Sequence, residues 1–139
     1  MTIEEKEQQL IDDFAIYDDW MEKYEYIIEL GKELPLLSED EKTKDRVIKG
    51  CQSTVWMKAE LNDDKIEYKA DADAIIAKGI IAMLIYVLSD EKPQDILDAK
   101  LRFISEIGLQ EHLSPTRSNG LVSMLKQMKL DALALNIKG

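Results

Sequence analysis

With 139 residues the chain has the length of one domain, long enough to bury a core without help from a metal or a disulfide. Its 18 lysines and arginines stand against 28 acidic residues, a net charge of −10, which argues against a broad phosphate-binding surface and so against nucleic acid as a partner. A single cysteine cannot close a disulfide within the chain, and one Cys with one His supplies too few soft ligands for a metal site.

Leu10, Phe14, Tyr17, Met21, Tyr24 and Ile28 recur at steps of four and three, which predicts one apolar helical face shared by two helices. Asp19 with Glu22 three residues on has the layout of a capping box, and Asp18 beside it suits a helix start, so a break is expected near residue 18. In "GKELP", Gly31 and Pro35 are read as the breakers that end the second helix.

From Thr54 the period falls to two. "TVWMKAEL" sets Val55, Met57, Ala59 and Leu61 on one side and Trp56, Lys58 and Glu60 on the other. After the turn "NDDK", the strand "KIEYKADA" turns Ile66, Tyr68 and Ala70 inward, which makes a hairpin with one covered face. Asp71 and Asp73 occupy helix N-cap positions before a run, Ala74 to Leu88, that is apolar on almost every side and must be buried beneath the hairpin. That run has 15 residues and contains Lys78, whereas a bilayer span needs about 20. The opening "MTIEEKEQQL" lacks the basic start and apolar run of a signal peptide, so the expectation is a soluble, cytoplasmic protein with no membrane partner.

"SDEKPQDIL" supplies a loop and a helix beginning near Pro93, and the segment Leu101 to Leu109 reads as another short helix. "HLSPTRSNG" reads as a loop by its Ser, Pro, Asn and Gly content, after which Leu121, Leu125, Met128 and Leu133 continue in helical register. The expected class is α+β: a small antiparallel hairpin sheet flanked by helices, one domain over residues 1–139.

The chemistry gathers around "RVIKGCQSTVW", which holds the lone thiol, Cys51. A thiol reacts as its thiolate, and an unperturbed cysteine with a pKa of about 8.5 is only a few per cent ionised at neutral pH. Arg46 and Lys49 are the cations nearest in sequence that would raise that fraction, and Gly50 permits turns that a side chain forbids. Set against this is a Cys51 that is merely a small buried hydrophobe. His112 in "GLQEHLSPTR" invites a Cys/His nucleophile pairing, but spacing does not bring it to Cys51, and a structural or helix-capping histidine is the simpler reading.

The segments "WMEKYEYIIELGKELP", "IKGCQSTVW", "DADAIIAKGIIAMLIYVLS", "PQDI" and "HLSPTRSNGL" together resemble the SufE/CsdE family of sulfur-acceptor proteins along nearly the whole chain. The resemblance implies an α+β fold of the SufE/IscU type with the cysteine on a loop. It implies that Cys51 accepts sulfane sulfur from the persulfide of a pyridoxal-phosphate cysteine desulfurase of the SufS or CsdA type, stimulating that enzyme. The sulfur then passes towards an iron–sulfur scaffold. On this reading the chain is a persulfide carrier and activator rather than a free-standing catalyst, and it binds no cofactor or metal of its own. By motif, Gly50, Gln52 and Ser53 shape the loop. Asp73 matches an acidic position tied to loop accessibility, and Arg117 matches an arginine near the loop and the desulfurase contact. A lone thiol suits a carrier, since a second cysteine nearby would resolve the persulfide into a disulfide.

Three other readings stand beside it. One is a cluster-holding scaffold, against which the single cysteine argues. Another is a non-covalent adaptor of the same machinery with a structural cysteine. The third is a Cys/His hydrolase, for which spacing identifies neither oxyanion donors nor an orienting third residue.

Overall fold

Thr2 opens the first helix, α1 (Ile3–Ala15): its hydroxyl accepts from the Glu5 N–H at 3.1 Å while the Glu5 carboxylate accepts from the Thr2 N–H at 2.9 Å. This reciprocal box satisfies two N–H groups that the first turn leaves unpaired. Asp19 caps the second helix, α2 (Trp20–Lys32), by accepting from the Glu22 N–H at 2.9 Å, with the expected break in the turn just before it. The computed structural model describes residues 1–138.

The apolar face expected to run through both helices holds in α1, where Leu10 and Phe14 are buried. It shifts in α2, where Tyr24 still packs half-buried against the core but Met21 is 73% exposed and the fully buried positions are Ile27 and Gly31. The turn between the helices resets the phase, so a periodicity counted across it does not carry over. Gly31 is likewise no breaker. It lies inside α2 where that helix crosses α3 (Ile75–Leu88), and a Cβ there would sit 2.9 Å from the Gly79 backbone nitrogen. A Cβ on Gly79 would sit 2.2 Å from the Ile27 carbonyl oxygen, so only a pair of glycines permits this approach.

After two single-turn helices of the 3-10 type, Glu39–Glu41 and Lys44–Arg46, the hairpin forms from β1 (Val55–Asn62) and β2 (Lys65–Ala72). The strands are antiparallel, with Val55 opposite Ala72 and Asn62 opposite Lys65, leaving Asp63 and Asp64 as the turn. Asp63 takes the left-handed conformation at φ 57°, which aspartate tolerates better than most residues. Val55, Met57, Ile66, Tyr68 and Ala70 are buried as the alternation predicts, but Leu61, at the projecting tip, is exposed.

Two strands alone would leave both edges open. Here the outer edge of β2 is closed residue by residue. The N–H of Ile66 donates to the Glu91 carbonyl at 2.9 Å, that of Tyr68 to the Ser89 hydroxyl at 3.0 Å, and that of Ala70 to the Pro35 carbonyl at 3.1 Å. On the β1 side, Val47 bridges to Trp56.

The apolar helix α3 is buried along most of its length, as its composition requires, packed against α2 and β2. Neither Asp71 nor Asp73 caps it, contrary to expectation: Ala74 is the N-cap and no side chain bonds there. Both carboxylates have been drawn away by tertiary partners that local sequence does not reveal.

Pro93 begins α4 (Pro93–Asp98), where its missing N–H costs nothing. The short helix expected over 101–109 is α5 (Phe103–Ile107), ended by Gly108 at φ 86°, and a further single-turn helix, α6 (Leu109–His112), follows it. The last helix, α7 (Pro115–Lys138), overturns the reading of "HLSPTRSNG" as a loop from Pro115 onward. Ser114 takes the Arg117 N–H on its hydroxyl at 3.4 Å and the Ser118 N–H on its carbonyl at 2.9 Å, so Ser-Pro marks a helix start. Along α7, Leu121, Met124, Met128 and Ala132 face the core, while Leu133 is 47% exposed.

One apolar cluster joins α1, α2, the hairpin, α3 and α7, and the Tyr68 hydroxyl crosses it to donate to the Met128 carbonyl at 2.8 Å. The architecture is α+β, an antiparallel hairpin flanked by helices. Among the described residues no helix is long and apolar enough to cross a membrane.

Candidate functional site

The segment 49–54 is a loop with a fixed base. The Ile48 N–H donates to the Val55 carbonyl at 2.8 Å, directly beside the Val47–Trp56 bridge. At the far end, Asp73 and Thr54 grip each other twice: the Thr54 N–H donates to the Asp73 carboxylate at 3.0 Å, and the Asp73 N–H donates to the Thr54 carbonyl at 3.1 Å. Within the loop Gly50 stands at φ 92°, and a Cβ there would lie 2.4 Å from the Ser123 hydroxyl oxygen. Backbone conformation and close approach to α7 both call for glycine at this position.

This loop turns Cys51 inward to a cavity of about 400 Å³. Cys51, Gln52 and Ser53 form one wall, the first turns of α3 a second, and Thr116, Arg117 and Gly120 of α7 a third. Four of the motif residues thus meet around one space. The other two hold the loop from outside the lining, Gly50 against α7 and Asp73 at the loop's exit. Ile75 and Arg117, both exposed, flank the thiol's cavity from different helices.

The electrostatics differ from the sequence expectation. Cys51 is half-buried, and that burial pushes the thiol above its usual range. Its Sγ–H donates to the Gly120 carbonyl at 3.6 Å, a bond that only the protonated form makes. Neither Arg46 nor Lys49 lines the cavity: Arg46 donates to the Glu41 carbonyl at 2.8 Å, and Lys49 is exposed. In this conformation the site protects a neutral thiol.

His112 is a structural residue. Its ring stacks on Trp20 at 4.1 Å and 11°, and Nδ1–H donates to the Gly108 carbonyl at 3.0 Å. The Tyr24 hydroxyl donates to its carbonyl, and it does not line the thiol's cavity. The Cys/His pairing is therefore absent.

Two parts of the site escaped sequence reasoning. One is Gly120, the thiol's acceptor, which the Ser-Pro helix start would have placed on α7 one turn beyond Arg117. The other is an ion-pair cluster at the loop's base. Asp71 lies between Lys42 at 2.6 Å and Lys78 at 3.2 Å and also accepts from the Ala72 N–H at 2.8 Å. Burial pushes the Asp71 carboxyl up, but Lys42, the Ala72 N–H and Lys78 together outweigh it and hold the group below the usual carboxylate range. No spacing rule pairs a strand end with a residue from the preceding 3-10 segment.

The SufE family model, described as an Fe-S metabolism associated domain, matches residues 8–132. An uncharacterized SufE-like protein of Rhizobium etli is 41% identical over 130 residues, covering 89% of this chain and 87% of that protein. Another, from Rhizobium meliloti, is 38% identical over 130 residues, covering 89% of this chain and 92% of its own. Among solved structures, the solution structure of a hypothetical protein from Thermus thermophilus superposes with a TM-score of 0.77 at 19% identity, covering 93% of this chain and 94% of that one, a likeness of fold.

Proposed function

The chain belongs to the SufE family of Fe-S metabolism associated domains, and from that premise we propose that Cys51 accepts sulfane sulfur from a pyridoxal-phosphate cysteine desulfurase and passes it towards iron–sulfur cluster assembly. In the transfer the Cys51 thiolate attacks the outer sulfur of the desulfurase persulfide. The bond between the two donor sulfurs breaks, the desulfurase cysteine leaves as thiolate, and Cys51 carries the new persulfide. Sulfur changes hands between thiols, so the step needs no separate oxidant or reductant. The desulfurase brings the pyridoxal phosphate, and this chain contributes the acceptor.

The observation that carries the reading is the placement of the chain's single cysteine at the tip of a loop with a fixed base, facing a cavity walled by α3 and α7. Such a cavity shelters a persulfide from stray thiols, and no second cysteine of the chain can resolve it. Arg117 at the cavity's edge supplies the donors that an anionic sulfur lacks in the resting state, and Asp73 fixes where the loop re-enters the fold. Because the resting thiol is neutral and half-buried, docking on the desulfurase must bring Cys51 out and ionise it. That requirement accounts for a carrier that stays unreactive until it meets its donor.

Incubation with a pyridoxal-phosphate cysteine desulfurase and free cysteine, read by intact mass, tests this. The expected result is a gain of one or more sulfur atoms that is reversed by reduction and absent in Cys51→Ser. No gain, together with desulfurase stimulation that survives alkylation of Cys51, would replace the carrier with a non-covalent adaptor. The thiol's bond to Gly120 is what favours that second reading.

A further inference from the structure

Asp71 is the one buried carboxylate, among the described residues, that touches both sides of the cysteine loop's frame. Its side chain is 11% exposed and bridges Lys42, itself 17% exposed, to Lys78 in the first half of α3. Lys42 also pairs with Glu39 at 2.9 Å and lies 5.4 Å from the centroid of the Trp56 ring. Trp56 faces Asp71 across the hairpin and bridges to Val47 on its other side, immediately below the loop. The same carboxylate therefore ties together the incoming segment, the hairpin that leaves the loop, and the helix whose first turn walls the cavity.

We propose that Asp71 is a positioning residue for Cys51: the Lys42–Asp71–Lys78 bridge holds the loop's incoming arm against the hairpin and α3, keeping the thiol turned into its cavity. The proposal rests on Cys51 being the functional thiol, but its mechanics concern the resting protein alone. Removing the carboxylate strips the counter-charge that Lys42 and Lys78 share, leaves Lys58–Glu41 at 2.7 Å as the remaining ion pair, among the described residues, between the 38–46 segment and the hairpin, and so loosens that segment. The Asp73–Thr54 grip secures the opposite arm, so the two aspartates act on different ends of one loop.

Alkylation of Cys51 by iodoacetamide in the isolated protein reads the fraction of time the thiol is presented. Asp71→Asn is expected to speed alkylation on the order of tenfold, with Lys42→Gln acting in the same direction and the double variant no faster than Asp71→Asn alone. Lys6→Gln is the control: Lys6 and Glu91 form a comparably buried pair, 12% and 13% exposed at 2.7 Å, with no part in the loop's frame. It should leave the rate at the wild-type value. Should Asp71→Asn not fold, Lys42→Gln carries the test. A wild-type rate in folded Asp71→Asn or Lys42→Gln would overturn the proposal, as would equal acceleration by Lys6→Gln, which would mean general loosening. No desulfurase is involved, so a failure of sulfur transfer and a failure of this clamp give separate results.

Discussion

Gly79 and Gly120 both lie inside helices and are both buried, yet the space in front of each is different. A Cβ on Gly79 would meet the Ile27 carbonyl oxygen at 2.2 Å, its Cγ2 at 2.5 Å and its carbonyl carbon at 2.8 Å. On Gly120 the one heavy atom within reach is Cys51 Sγ at 3.7 Å, an ordinary van der Waals separation. The α2–α3 crossing is backbone against backbone and cannot give. The α7 glycine faces a space that is kept open around a thiol. One part of the molecule uses its glycine for rigidity, and the other leaves room beside a thiol.

The same alanine substitution should separate the two. Gly79→Ala is expected to destabilise by about 3 kcal/mol or more, because two of the three obstructing atoms are backbone that moves only if α2 shifts as a whole. Gly31→Ala, whose Cβ would lie 2.9 Å from the Gly79 nitrogen, should cost less, about 1–3 kcal/mol. Urea midpoints with an unchanged slope would show both. A loss at Gly79 below that at Gly31 would mean that the helices slide apart more readily than the close approach implies.

Gly120→Ala should act in the opposite direction. Alanine in a helix interior is favoured over glycine by about 0.8–1 kcal/mol, and the new methyl meets no backbone, so the protein should be unchanged or slightly more stable. The methyl would also fill space beside Sγ, so alkylation of Cys51 should slow. Destabilisation comparable to that of Gly79→Ala would erase the distinction between the two regions.

These glycines also mark where sequence reasoning stops. The hairpin was legible because alternation from Val55 to Leu61 and from Ile66 to Ala70 is a local pattern with one buried face. The burial of α3 followed from a run with no polar side to expose. Cys51, Gly50, Gln52, Ser53, Asp73 and Arg117 could be picked out from motifs. The fold brings four of them to one cavity, with Gly50 and Asp73 fixing the loop beside it. Gly31 was misread because a glycine near a proline looks like a helix end, when the deciding fact is the backbone of Gly79, far away in sequence. Asp71 and Asp73 were misread for a similar reason: position suggested caps, but Lys42, Lys78 and Thr54 compete for the same oxygens and win. Proximity in sequence also named Arg46 and Lys49 as activators of the thiol, while Arg46 bonds the Glu41 carbonyl and neither lines the cavity.

The smallest expected effect concerns that thiol. Burial raises the Cys51 pKa in the folded protein, so on titrating upward the unfolded chain ionises first. The contribution from keeping the thiol neutral is then fully present below the unfolded cysteine value, about 8.5, and is lost as pH rises from there through the higher folded value. The urea midpoint of the wild type should therefore fall slightly more across that window than the midpoint of Cys51→Ala, which has nothing there to titrate. In parallel, the pH profile of iodoacetamide alkylation should rise with a midpoint above that of a free thiol, because only thiolate reacts. A midpoint at or below the free value would mean that the isolated protein already presents Cys51 to cations or solvent. The contrast between a rigid crossing and a sheltering cavity would then hold for packing alone and not for the chemistry of the sulfur.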